Sequence, residues 1–111
     1  MTLSAKQWLW QKTLYNNDTS IEPKEAEAFT ITFAEGQRAQ IGTDCNRIQA
    51  RYTVKGNTIE FSELLATRMF CEESQEQVFA DMLKNVNAYF FNNRNQLILE
   101  LKFDSGSMIF Q

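Results

Sequence analysis

From Trp8 to Phe110 the apolar side chains recur mostly at every second position, and the spacing changes only once, between Ser74 and Val86. A period of two puts alternate side chains on opposite faces of an extended chain, so the pattern commits most of these residues to half-buried β-strands. Lys6–Tyr15 sets Trp8, Trp10, Lys12 and Leu14 against Leu9 and Tyr15. Asn16–Lys24 is polar, contains the sole proline, Pro23, and is expected to be a loop. Ala26–Phe33 alternates Phe29, Ile31 and Phe33 with Thr30 and Thr32, turns at Glu35-Gly36 and returns over Gln37–Ile41. A second hairpin joins Ile48–Val54 to Thr58–Phe61 through Lys55-Gly56-Asn57. After the helical interval, Ala88–Phe91, Gln96–Phe103 and Ser107–Phe110 form a meander with turns at Asn92–Asn95 and Asp104–Gly106.

Within the interval, Val78, Phe79, Met82, Leu83 and Val86 fall on one stripe of a helix running from about Gln75 to Val86. Ser74 followed by Gln77 has the spacing of a capping box, and Glu72, Glu73 and Glu76 lie where the helix dipole favours negative charge. The predicted fold is α+β and mainly antiparallel. About eight strands and one helix avoid bare edges best as a strongly curved sheet or partly open β-barrel with the helix packed on it.

A chain of 111 residues, 43% of them hydrophobic and 13% aromatic, can bury a core of its own, so residues 1–111 read as a single domain. The net charge of −3 comes from 14 acidic and 11 basic residues scattered without blocks, which argues against nucleic acid as a partner. No apolar run approaches the roughly 18–20 residues of a membrane-spanning helix. Met1–Lys6 lacks the basic start and apolar stretch of a secretory signal. A cytoplasmic start and the cut edge of an exported precursor both remain open at this stage.

Two motifs flank the second hairpin. Asp44-Cys45-Asn46-Arg47 precedes a strand carrying Tyr52, and Ala66-Thr67-Arg68-Met69 is followed by Cys71, the amphipathic helix and three strands. In that order they resemble the META domain family, also called HslJ-like after a heat-shock protein, over nearly the whole chain. The family pattern has Gly where Asp44 and Ala50 stand, and a small residue and Pro where Phe70 and Glu72 stand. Asp tolerates left-handed backbone, so Asp44 is expected to replace a turn glycine. The resemblance implies a small envelope-associated domain in the periplasm or at the outer membrane, connected with stress tolerance, often in lipoproteins and lipid-anchored in a full-length chain. It implies no catalytic residues. In such an export-type family it also implies a Cys45–Cys71 disulfide, the alternative being two buried thiols in a cytoplasmic protein.

The chain has no His, which removes the commonest general base and the usual partner of a Ser or Cys nucleophile. Two cysteines fall short of a structural zinc site, and neither a metal nor another cofactor is expected. Asp44 and Glu72 would converge if the cysteines met, which would be the basis of a carboxylate-dependent hydrolase. Arg68 is expected to pair internally, with Asp44 as the candidate, and Met69 to pack; the competing reading makes Thr67-Arg68-Met69 a recognition segment. Trp8, Trp10, Phe29, Phe33 and Tyr89 are the candidates for an aromatic binding surface, with core filling the alternative for the two indoles. The leading expectation is a monomeric, non-enzymatic module that binds a protein partner or an apolar ligand. The others are the hydrolase and a purely structural domain of a larger lipoprotein.

Overall fold

The computed structural model describes all residues from Met1 to Gln111. In chain order the strands are β1 (Trp8–Tyr15), β2 (Ser20–Ile21), β3 (Thr30–Ala34), β4 (Arg38–Gly42), β5 (Arg47–Lys55) and β6 (Thr58–Ala66). The helix α1 (Glu76–Lys84) follows, then β7 (Val86–Phe91), β8 (Leu97–Leu101) and β9 (Gly106–Phe110). All pairings are antiparallel. The expected α+β class and curved antiparallel sheet are what the chain forms.

Closure depends on β1. Its first residues pair with β3 (Trp8↔Ile31, Leu9↔Thr30), and the rest of it pairs with β9 from Trp10↔Phe110 to Tyr15↔Gly106. The sheet therefore curls into a ring, with the two-residue β2 laid along the outside of β1. A bulge between Trp10 and Lys12 flips the faces of the strand. Trp8 and Trp10 point inward before it and Thr13 after it, which leaves Leu14 exposed, against the simple alternation of the sequence.

The ring has its shortest ladder between β6 and β7, which share a single partner pair, Thr58↔Ala88. The helix lies between these strands in sequence and packs on the sheet with Phe79, Ala80, Met82 and Leu83 buried. Phe79 meets Phe29, Trp10 and Phe110 at ring-centroid distances of 4.9, 5.1 and 6.3 Å, so one aromatic knot joins α1 to both ends of the β1 pairing. Two expectations change here. Val78 is 42% exposed and lies off the stripe, and the helix stops at Lys84 because the Asn85 N–H turns back to the Met82 and Leu83 carbonyls. Val86 already belongs to β7.

Other strand limits move for local reasons. β6 runs on to Ala66 through a bulge at Glu63, whose φ of +52° breaks the alternation. β8 ends at Leu101 because Phe103 and Asp104 both take positive φ and form the turn into β9. No helix is long and apolar enough to cross a membrane.

Candidate functional site: a loop held by a buried asparagine

The two motifs lie against each other at one end of the sheet. Thr43–Asn46 is the connection from β4 to β5, and Thr67–Gln75 is the connection from β6 to α1. A disulfide joins Cys45 to Cys71 with their Cα atoms 5.9 Å apart.

Asn46, 4% exposed, is the centre of the junction. Its Oδ1 accepts from the Met69 N–H and the Thr67 hydroxyl, both at 2.8 Å. Its Nδ2 donates at 3.0 Å to the Met69 carbonyl and to Glu76 Oε2. The carboxamide thus pairs with Met69 as a neighbouring strand's peptide group would, and no other side chain of that length offers both a donor and an acceptor in one plane.

Glu76, in the first turn of α1, closes the junction from the other side. Its Oε1 accepts from the Asn46 N–H and lies 2.6 Å from the Thr43 hydroxyl. Burial raises the Glu76 pKa and Asp44 nearby adds to that, but hydrogen bonds from Thr43 and Asn46 outweigh both and hold the carboxyl below its ordinary value. Asp44 accepts from the Ser74 hydroxyl at 2.5 Å and the Gln75 N–H at 2.9 Å, and Ser74 Oγ accepts in turn from the Glu76 N–H at 3.0 Å. The start of α1 is therefore capped from another part of the chain. The expected Ser74–Gln77 box does not form, because the Gln77 amide bonds to Asp81.

Several sequence expectations are corrected at this junction. Asp44 does not have positive φ, so its side chain rather than its backbone accounts for its place. Ala50 faces inward opposite Ala39, where two small residues fit together. Arg68 makes no ion pair; Asp44 is occupied by the helix start and Arg68 is exposed. Met69 does not pack, being 60% exposed. Glu72 is exposed and stands apart, and Glu76 is the carboxylate that meets Asp44. Arg47 presents its backbone to Thr67 and its side chain to solvent.

The aromatic candidates are elsewhere. Trp8, Trp10, Phe29 and Phe33 are buried in the core, with Trp8 Nε1 donating to the Leu3 carbonyl and Trp10 Nε1 to Thr13 Oγ1. They fill the interior and present no surface for a ligand. Tyr89 is half-buried, edge-on to Phe91, and Tyr52 packs against Phe33 at 4.9 Å.

Beside the exposed Arg68 and Glu72, the junction presents three large apolar side chains. Leu65, Met69 and Phe70 are 73%, 60% and 88% exposed around a segment tied at Cys71 by sulfur and at Met69 by Asn46. Leu65 and Phe70 were not distinguishable from core residues in the sequence. Only the failure of strand alternation after Ser62 hints that they leave the core.

The META domain model matches residues 2–110. The chain belongs to the META domain family. As a META domain it is similar in structure to a Burkholderia xenovorans protein solved by NMR, with 22% identity and a TM-score of 0.79 over 98% of this chain and 82% of that one. It is also similar to a duf4847 family protein from Bacteroides vulgatus, with 15% identity and a TM-score of 0.72 over 97% and 92% of the two chains. At these identities the likeness concerns the fold. No curated protein matches the chain.

Proposed function

We propose that this META domain is a non-enzymatic binding module of the cell envelope, and that the Thr67–Cys71 loop with Leu65 is its contact surface for an apolar site on a protein partner. The observation that carries this reading is the exposure of Met69 and Phe70 on backbone that is fixed at both motifs. A loop held in place loses little conformational entropy on binding, so apolar area buried there counts almost fully towards affinity. A disulfide at the base of the loop fits an oxidising compartment. Of the two carboxylates considered for a hydrolase, Asp44 is committed to the start of α1 and Glu72 is exposed to solvent.

A photo-crosslinking residue placed at Phe70 in the full-length protein, in its own cells, tests the reading. Phe90, 48% exposed on β7, is the control position. A defined adduct in the envelope fraction from position 70, with none from position 90, is expected. Equal labelling at the two positions, or a protein found only in the cytoplasm, contradicts it.

A further inference from the structure

A second surface lies on the outer face of β3, β4 and β5, bordering the loop where Arg47 meets Thr67 and Gln49 stands opposite Leu65. Strand alternation turns Ala39, Ile41, Ile48 and Ala50 inward and leaves Arg38, Gln40, Arg47, Gln49 and Arg51 outward. On β5 the exposed positions Arg47, Arg51 and Lys55 recur at every fourth residue, and no acidic residue faces outward from these three strands. The chain as a whole carries −3.

The pairing breaks a local rule. Arg38 stands directly opposite Arg51, and like charges across a strand pair are destabilising. Only Arg51 is relieved, by Glu63 of β6 at 3.0 Å; Arg38 and Arg47 have no carboxylate within ion-pair distance. Glu60 is the other carboxylate on β6, opposite Thr53. At the Arg47 end of this row an open groove of about 400 Å³ crosses the strands, lined by Gln7, Thr30, Thr32, Gln40, Arg47 and Gln49 among others, with Arg38 and Arg51 outside it. Where a sequence keeps an unfavourable local arrangement, a function is the expected reason.

We infer that this face binds an acidic polypeptide segment in extended conformation, lying along β5 with carboxylates on Arg47 and on the Arg38–Arg51 pair. Arg47 and Arg51 are four residues apart, about 13 Å along a strand, which matches carboxylates at every fourth residue of an extended peptide. Arginine forks suit carboxylates, and the glutamine amides between them offer a donor and an acceptor to the peptide groups of the ligand. The groove holds no aromatic side chain on which a base could stack, which disfavours single-stranded nucleic acid. Its concave shape and the flanking Glu60 and Glu63 disfavour a flat anionic membrane.

Fluorescence anisotropy with a labelled peptide carrying Glu at every fourth position, against its Gln counterpart, tests the assignment. Binding to the Glu peptide that weakens with added salt is expected, with a loss of at least about tenfold in the Arg38→Gln/Arg47→Gln variant, whose substituted side chains face solvent. The Met69→Ser/Phe70→Ser variant should bind this probe as the parent does, so failure here and failure of the loop reading are distinguishable. A thermal midpoint no lower than the parent's shows that the arginine variant is folded. No binding, equal binding of the Gln peptide, or an arginine variant that binds like the parent overturns the inference. So does tighter arginine-dependent binding to anionic phospholipid vesicles or to oligo-dT.

Discussion

Phe70 and Phe103 are almost equally exposed, at 88% and 93%, yet the chain holds them in opposite ways. Phe70 follows a segment fixed by distant groups: the Asn46 carboxamide, which holds the Thr67 hydroxyl and the Met69 peptide, and a disulfide spanning 26 residues. Phe103 sits in the short turn between β8 and β9, closed by the Ser105 N–H and hydroxyl on the Lys102 carbonyl. There the cost is local: Phe103 and Asp104 take φ of +62° and +51° in succession, a conformation that Asn-Gly adopts far more easily. Exposure of an aromatic ring is therefore a weak guide to function. Buried polar groups committed to holding one loop are a stronger one, because each must be satisfied by partners far away in sequence.

The contrast can be broken from either side. The largest effect is expected from Cys45→Ser/Cys71→Ser, which should lower stability by about 3.5 kcal/mol on the loop-entropy estimate, read from the denaturant midpoint. Asn46→Ala should cost about 2 to 3 kcal/mol, because the Met69 peptide and Glu76 lose a buried partner. Hydrogen exchange should then quicken at the Met69 amide, and an unchanged rate there would show that the disulfide alone holds the loop. The Phe103→Asn/Asp104→Gly variant should do the reverse and stabilise by about 1 to 2 kcal/mol by relieving the left-handed turn. A loss of stability would mean that Phe103 makes contacts its exposure hides.

Acid should act on the Phe70 side through Glu76. The Glu76 carboxyl is held below its ordinary value of 4.5, so its contribution is present above that pH and is lost as the pH falls through the lowered value. Unfolding curves of the parent and of Glu76→Gln should therefore converge as the solution is acidified. Smallest of all, Phe70→Ser should change stability by less than about 0.5 kcal/mol, read from the denaturant midpoint, as expected for a side chain that packs on nothing.

The residues that were legible and those that were not divide along the same line. Phe29, Ile31 and Phe33 gave away their strand, and Phe79, Met82 and Leu83 their helix, because strand and helix periods are properties of neighbouring residues. Glu76 looked like one more acidic residue in a first helical turn, and Asp44 like a stand-in for a turn glycine. Both roles depend on groups about 30 residues away. Leu14 falls on the same alternation as Trp8 and Trp10 yet is exposed, since a bulge that inverts the faces of a strand leaves no reliable mark on composition.

By itself, then, the sequence determined the class of fold, the place of the helix, the hairpins and the membership of the META domain family. These follow from local periodicity and from motifs in a set order. The closing of the sheet through β1, the gathering of Thr43, Asn46 and Glu76 beneath an exposed Met69-Phe70, and the row of arginines on β4 and β5 were decided by the tertiary structure. Each depends on register between strands, and register is fixed only when the whole core packs at once.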